Sequence, residues 1–531
     1  MDFRKSISEH QVILLAVFLT MAAFLLMLGK APLYLEEPRR AIIAMEMVFF
    51  KNYWAPTLLG DWYYNKPPLF TWVLLAFVWI GKQMGAGPFE EFWLRLPSVL
   101  SAGAIAGILY QVGRKEVNVL FGARAGLFFL SFGSIALFFS LLAEIDLFYT
   151  LIVFGSFLLI WHFGEREAYL LLFLSTYLLC AIGVLTKGLP SLAFTAISLL
   201  VYFADKRRMG VLFSFSHAMG ILLLSGILGG YLWKYGQYHA IENLLYAVFE
   251  ESGRRTAAAM PLVALPGHLV LFPLNVLMDM LPGSLMVFLL LRRDVRNLLL
   301  QRHPFIRFCT LMLLANLLLY WFSPGARVRY VYPLFPFAAL LFAWAYELKA
   351  EAPVWASVWV ERVIKAMGVA AASGFVILIF FPDIRSLPFF LPVAFTGFLG
   401  FIGIWRLSCI KSSLTLPLLF VGSALFRLLF DFTVLPHRAL YSGARQDKDL
   451  AAAIHRATDG RPLYLYGEEK VVSYTTCFYL NRFRKQPLVL QDQLQKDQFY
   501  LLPLKFVGPK DSILLRTSYE GVDKALIMKR Y

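Results

Sequence analysis

The chain has 531 residues, of which 59% are apolar and only 16% charged, and its mean hydropathy is +0.65. Soluble domains carry about 25% charged residues, so this composition excludes a soluble globular enzyme. Lys and Arg exceed Asp and Glu by 50 to 34, and in so apolar a chain this excess is typical of loops on the cytoplasmic side of a membrane. We therefore expect a polytopic membrane protein without a nucleic-acid partner.

Apolar runs recur along the chain, and many are long enough, or nearly so, for a helix to cross a hydrocarbon core about 30 Å thick. We predict 13 spans, near residues 11–29, 97–113, 118–142, 146–163, 168–185, 189–204, 211–233, 264–292, 305–322, 330–347, 366–382, 387–406 and 413–432.

The apolar stretch 67–84 decides the topology. If it crosses the membrane, nearly all later basic clusters fall on the side opposite Arg4 and Lys5. If it lies along the membrane surface, these clusters share one side, as the positive-inside rule requires. Its opening Pro67-Pro68 and its tryptophans also suit an interfacial helix. We therefore predict that the N-terminus is inside and the C-terminus outside.

The longest polar segments fall on the predicted outer side. They are the first outer loop, residues 30–96, with its interfacial helices, and the C-terminal tail, residues 437–531. Helical and strand-like patterns alternate in the tail and predict a small α/β domain: helices at Asp447–Arg456 and Ser473–Arg482, strands at Pro462–Tyr466, Gln498–Leu504 and Ser512–Leu515. The predicted fold is thus an all-α polytopic membrane domain, 1–436, and an extracytoplasmic α/β domain, 437–531.

Ionisable residues are costly near a bilayer and tend to serve a function there. In the first outer loop, Glu36 and Glu37 stand just before Pro38, where a helix start favours negative charge. Two adjacent carboxylates in apolar surroundings can provide a general base, although helix capping with exposed ion pairs is the more common explanation of such a pair. Each of the other polar turns, taken alone, could be explained by an aromatic belt at the membrane surface or by a snorkelling lysine. All of them fall on the predicted outer side, however, and this convergence favours a functional site.

Several of these motifs resemble those of the bacterial aminoarabinose transferases of lipid A and of the wider protein O-mannosyltransferase group of GT-C glycosyltransferases. Glu36–Met47 is similar to the family pattern D-E-x-R-Y-A-E-I-x-R-E-M, and Tyr63–Trp72 is similar to Y-F-E-K-P-P-L-x-Y-W. Asp146 matches a family aspartate, and Thr186-Lys187-Gly188 matches a T-K-G motif. The resemblance covers most of residues 10–345 and implies a GT-C fold with 13 spans.

The resemblance implies an inverting glycosyltransferase of the bacterial inner membrane whose active site faces the periplasm. It would move a sugar from a polyprenyl-phosphate carrier, such as undecaprenyl phosphate, to a lipid A-like lipid, a glycan or a protein. Glu36 is the predicted base, with Glu37 and Asp146 as further catalytic carboxylates. The predicted phosphate-binding residues are Arg39, Lys66, Lys187, Arg327 and Arg329, and the predicted substrate-lining residues are Tyr63, Tyr64, Asn65, Glu251, His268 and Tyr330. A transporter or flippase of a lipid-linked sugar, or a silent relative that binds a glycolipid, remains an alternative.

Asn65 departs from the family pattern. The family has a glutamate there, and the resemblance implies that this glutamate binds a metal together with the aspartate at the position of Asp146. A neutral amide is a poor ligand for a hard cation. We therefore expect that any divalent metal at Asp146 is bound weakly, and we predict no other cofactor.

Overall fold

The structure is a computed structural model that describes residues 8–254, 265–290, 303–348, 354–467 and 471–529. Most of these residues are helical, and a small sheet lies near the C-terminus. The described α-helices are Glu9–Leu25, Glu37–Phe49, Leu69–Gln83, Glu91–Glu116, Val119–Ser131, Gly133–Leu137, Ile145–Gly164, Tyr169–Lys187, Pro190–Asp205, Phe215–Tyr235, Ile241–Arg254, Leu265–Asp279, Val287–Leu290, Pro304–Trp321, Phe335–Glu347, Val354–Leu378, Pro382–Arg385, Phe390–Ile410, Thr415–Tyr441, Gly443–Thr458 and Tyr474–Arg484. The described strands are Thr57–Leu58, Asp61–Trp62, Leu463–Tyr466, Leu490–Gln491, Phe499–Pro503, Ser512–Tyr519 and Val522–Met528.

Long apolar helices form most of the chain. Among the described residues, 8 helices are long and apolar enough to cross a membrane, and the number rises to 10 if each of two bent helix pairs is one span. The remaining predicted runs overlap the shorter apolar helices Glu9–Leu25 and Pro190–Asp205 and the helix Val354–Leu378. The all-helical membrane architecture is therefore confirmed, while the count of 13 spans stays a prediction.

Two of the predicted runs are broken rather than continuous. Val119–Ser131 and Gly133–Leu141 meet at 55°, and Leu265–Asp279 and Gly283–Leu290 meet at 114°. Hydropathy does not reveal such breaks, because the apolar composition continues through the bend.

The two breaks lie against each other, and polar groups satisfy their free backbone atoms. The Gly133 amide donates a hydrogen bond of 2.7 Å to the Leu281 carbonyl, and Arg427 donates to the Ala136 carbonyl. Arg427 also forms a buried ion pair of 2.8 Å with Asp431. Irregular backbone at membrane depth is stable only when it is satisfied within the protein, so we assign Arg427 a structural role.

The tail contains a five-stranded sheet. Leu463–Tyr466 runs parallel to its two neighbours, Leu490–Gln491 and Phe499–Pro503. Val522–Met528 then pairs antiparallel with both Phe499–Pro503 and Ser512–Tyr519. The predicted tail elements coincide with observed ones, but the strands Leu490–Gln491 and Val522–Met528 were not predicted.

The tail packs directly on the first outer loop. Residues of both segments share one hydrophobic core, in which Leu33 and Ile42 of the loop meet Phe478 of the tail. The Leu490 amide donates a hydrogen bond of 3.0 Å to the Leu59 carbonyl. Gly60 has a φ of +88° and lies so close to Val489 that a Cβ would overlap its side chain, so glycine is required at this contact. The first outer loop therefore lies between the tail and the membrane helices.

Candidate functional site

The first outer loop presents its polar residues on a short helix, Glu37–Phe49, which we call the loop helix. Pro38 lies in its first turn, where a missing backbone N–H costs nothing, and its apolar face is buried against the tail. Glu37 is completely buried. Its carboxylate accepts hydrogen bonds from Arg95 at 2.8 and 2.9 Å and from the Ala143 amide at 2.8 Å. Glu37 therefore stabilises the start of the loop helix and has no exposed surface for a substrate to contact.

Glu36 lies just outside the loop helix and faces a cavity of about 610 Å³. Its side chain is 40% exposed and forms an ion pair with Arg39, one turn further on, which also lines the cavity. Of the two adjacent carboxylates, Glu36 is thus the one that a bound substrate could contact.

A buried ion pair lies across the same cavity. Asp146, in the first turn of its helix, accepts a hydrogen bond of 2.6 Å from Lys187, the last residue of the following helix, Tyr169–Lys187. The Lys187 ammonium lies 4.9 Å from the ring centroid of Tyr149 and 5.6 Å from that of Tyr330. Two aromatic faces and one carboxylate therefore stabilise a cation that is almost removed from solvent.

A second buried ion pair joins the loop helix to the same turn. The Arg40 guanidinium, which also lines the cavity, lies 3.0 Å from the Glu144 carboxylate. Arg40 was not among the residues predicted from the sequence to form the site. Its position next to Arg39 in the motif was the available signal, but residues adjacent on a helix point about 100° apart, and only the structure shows that Arg40 is the one facing Glu144.

Three further cations line the cavity: Lys66, Arg327 and Arg329. Lys66 donates a hydrogen bond of 3.1 Å to the Asn65 carbonyl. In the part of the chain that the structure describes, neither Arg327 nor Arg329 has a side-chain hydrogen bond or ion pair. These guanidiniums therefore keep their donors available for an anionic ligand.

The six predicted substrate-lining residues differ in their position relative to the cavity. Tyr64, Asn65 and Tyr330 line the cavity. Tyr63 lies next to it, with its ring centroid 5.8 Å from the Arg39 guanidinium carbon, and burial raises the pKa of its hydroxyl. His268 does not line the cavity.

The His268 ring instead lies 3.3 Å from the Tyr320 carbonyl and 4.8 Å, between centroids, from Phe272. The side chain of Glu251 lies outside the described residues. Tyr149 and Tyr320 line the cavity but were not predicted, because buried tyrosines in apolar runs resemble ordinary core residues.

The residues around Asp146 do not fit a divalent metal ion. The Asp146 carboxylate pairs with Lys187, and the neighbouring Glu144 pairs with Arg40. Asn65 offers only a neutral amide on the cavity wall. Among the described residues, no group of three or more His, Cys, Asp or Glu side chains could hold a metal ion.

The chain is thus a polytopic helical membrane protein whose first long loop and facing helix ends surround a cation-rich cavity. The fold agrees with two solved structures of the aminoarabinose transferase ArnT from Cupriavidus metallidurans. Each covers 98% of this chain and 98% of its own, at 16% identity; the TM-score is 0.71 for the form bound to undecaprenyl phosphate and 0.67 for the apo form. The chain therefore has the fold of ArnT, and the predicted GT-C fold class is confirmed.

Sequence relatives agree with this fold. The chain is 31% identical over 215 residues to an undecaprenyl phosphate-α-4-amino-4-deoxy-L-arabinose arabinosyl transferase of Pseudomonas savastanoi pv. phaseolicola, a match that covers 38% of this chain and 37% of the relative. It is 28% identical over 183 residues to a similarly named transferase of Pseudomonas fluorescens, covering 33% and 31% of the two chains. The matches thus span well under half the length of these relatives. No protein-family model matches the chain.

Proposed function

We propose that this chain is an inverting glycosyltransferase of the bacterial inner membrane. It takes a sugar from an undecaprenyl-phosphate carrier and transfers it to a lipid A-like acceptor on the periplasmic side. The observation that carries the proposal is the convergence of five predicted phosphate-binding cations on one cavity that also contains Glu36 and Asp146. A glycan or protein acceptor would use the same chemistry, and the likeness to lipid A-modifying relatives favours the lipid.

The cations suit a phosphate leaving group. When the bond between the sugar C1 and the phosphate oxygen breaks, the carrier phosphate gains negative charge. Lys187 and Lys66 supply point charges, and Arg327 and Arg329 supply planar donors that match phosphate oxygens. Because these groups already surround a partly enclosed cavity, they can stabilise the developing charge without first being brought together.

Glu36 suits the role of base. An acceptor hydroxyl attacks C1 on the face opposite the phosphate and passes its proton to the Glu36 carboxylate, so that the configuration at C1 inverts. Asp146 suits this role less well, because its carboxylate is only 2% exposed and pairs with the buried Lys187 at 2.6 Å, whereas Glu36 is 40% exposed. We assign Asp146 the role of holding Lys187 in place and Glu37 the role of fixing the loop helix.

The transporter alternative has less support. A transporter would be expected to place polar binding residues near the bilayer midplane, and Asp279 and Asp431 are the main acidic candidates in the predicted spans. Asp279 accepts a hydrogen bond of 2.8 Å from Tyr332, and Asp431 pairs with Arg427. Both have partners that explain their burial without a transported substrate.

A transfer assay tests the proposal. The purified protein is incubated with undecaprenyl phosphate-α-4-amino-4-deoxy-L-arabinose and lipid A, and the lipid A is analysed by mass spectrometry. We expect an added aminoarabinose in the wild type and a loss of about 100-fold or more in Glu36→Gln, because the side-chain shape remains and only the proton acceptor is removed. Undecaprenyl phosphate binding should be unchanged in this variant. Absence of transfer, together with movement of labelled donor across liposomes that contain the protein, would establish the transporter instead.

A further inference from the structure

A buried tyrosine of the tail contacts the segment that carries Glu36. Tyr479 belongs to the helix Tyr474–Arg484 and is completely buried. Its hydroxyl accepts a hydrogen bond of 3.2 Å from the Leu33 amide and donates one of 2.7 Å to the Glu91 carboxylate. One hydroxyl thus connects the tail, the start of the first outer loop and the helix Glu91–Glu116.

Two further residues of the tail form ion pairs with Glu91. Arg482 and Lys448 lie 2.9 and 3.2 Å from its two carboxylate oxygens. One turn along the same helix, Arg95 holds Glu37 through two hydrogen bonds. Tail cations therefore contact the same helix that fixes the residue next to Glu36.

The short segment between these contacts has an unfavourable backbone. Leu35 has a φ of +57°, in the left-handed region, which is strained for an L-residue and persists only when its surroundings impose it. Leu33 is held on one side by Tyr479 and by Thr475, whose hydroxyl donates 3.3 Å to the Leu33 carbonyl. Glu37 is held on the other side by Arg95 and Ala143.

We infer that Tyr479 is a positioning residue for Glu36, and that the tail serves the transfer reaction by fixing the segment 33–37. The inference rests on the proposed role of Glu36 as base. Without the hydroxyl, the Leu33 amide loses its acceptor and the segment gains freedom at its N-terminal end. Glu36 would then sample positions outside hydrogen-bond reach of the acceptor hydroxyl, and misplacement by about 1 Å can cost about 100-fold in rate.

Tyr479→Phe and Tyr500→Phe form a matched pair for the test. Tyr500 is also completely buried in the tail, and its hydroxyl accepts a 2.8 Å hydrogen bond from the Gln495 amide and lies 2.9 Å from Gln491 Oε1. It belongs to a separate core of the tail, away from the first outer loop. Each variant removes one buried hydroxyl, but only Tyr479→Phe changes a contact to the segment 33–37.

Three quantities are measured for each variant: kcat for transfer, the Kd for undecaprenyl phosphate, and amide hydrogen exchange of residues 31–40. In Tyr479→Phe we expect kcat to fall by about 10- to 100-fold, the Kd to stay within about two-fold, and exchange at residues 31–40 to accelerate by about 10-fold or more because the Leu33 amide loses its partner. Tyr500→Phe should change none of the three. A second variant, Thr475→Val, should lower kcat and accelerate amide exchange at residues 31–40, with smaller effects than Tyr479→Phe.

Unchanged kcat in a folded Tyr479→Phe protein would overturn the inference, as would equal kcat losses in the Tyr479 and Tyr500 variants. If Tyr479→Phe folds poorly, Thr475→Val provides the test. Unchanged kcat and unchanged amide exchange in Thr475→Val would then overturn the inference. If the wild type transfers no sugar, the proposed function fails. Faster exchange at residues 31–40 confined to the Tyr479 and Thr475 variants would then still support the contact between the tail and this segment.

Discussion

Replacing Lys187 with methionine separates the structural role of the Asp146–Lys187 pair from its role in binding phosphate. Methionine keeps most of the length and apolar character of the lysine stem but removes the charge. The Lys187 and Asp146 side chains are only 8% and 2% exposed, so the substitution leaves a buried carboxylate without its partner. A second variant, Lys187→Met with Asp146→Leu, removes both charges and leaves two apolar side chains.

The expected magnitudes follow from this burial. Removing one member of a buried ion pair costs about 3–5 kcal/mol, whereas replacing both members with apolar residues is often nearly neutral. Lys187→Met should therefore lower the free energy of unfolding by about 3–5 kcal/mol, and the double variant should recover most of that loss. Both variants should bind undecaprenyl phosphate about 10- to 100-fold more weakly, because a charge-assisted hydrogen bond contributes about 1.5–3 kcal/mol.

The assay combines SDS-induced unfolding in detergent with a binding titration of undecaprenyl phosphate. A Lys187→Met protein as stable as the wild type would refute the buried pair. A double variant that regains wild-type affinity would show that Lys187 does not contact the phosphate. Restored stability with persistently weak binding is the combination that the structure predicts.

Three further predictions concern acidity, metal and orientation. Burial raises the pKa of Glu46 to about 7 from 4.5, so between these pH values the folded state retains a proton that the unfolded state loses. The free energy of unfolding should therefore fall by up to about 3 kcal/mol as pH rises from 4.5 to 7. Unfolding measured over a pH series should show no such fall in Glu46→Gln. Sugar transfer should survive a chelator in the wild type and become sensitive to it in Asn65→Glu, whereas complete loss in the wild type that added divalent metal restores would contradict the metal-free site. In cells in which the exposed Cys409 is first replaced by alanine, a membrane-impermeant thiol reagent should label Gln493→Cys in the tail but not Met209→Cys, and reversed labelling would overturn the predicted orientation.

The membrane architecture could be predicted because hydropathy is a local property. Each predicted run overlaps a described helix, and the tail elements followed from short periodic patterns. The strand Val522–Met528 was not predicted because it lies between two other strands, Phe499–Pro503 and Ser512–Tyr519. Its residues Ala525, Leu526 and Ile527 are all buried, so the alternation that marks a half-buried strand is missing.

The partners of individual charges could not be predicted in the same way. Glu36 and Glu37 are adjacent in the sequence. Only the fold shows that Arg95, 58 residues beyond Glu37, forms an ion pair with Glu37. Arg40 and Glu144 are 104 residues apart, and no local pattern joins them. The family motifs identified many residues of the cavity, but tertiary packing determines which side chains form ion pairs with each other.

The most direct test of the central claim is an electron cryo-microscopy map of the full chain with bound undecaprenyl phosphate. The proposed function predicts phosphate density in the cavity beside Glu36, within hydrogen-bond reach of Lys187 and of Arg327 or Arg329. Phosphate density at another place on the protein, with this cavity empty at saturating ligand, would contradict it.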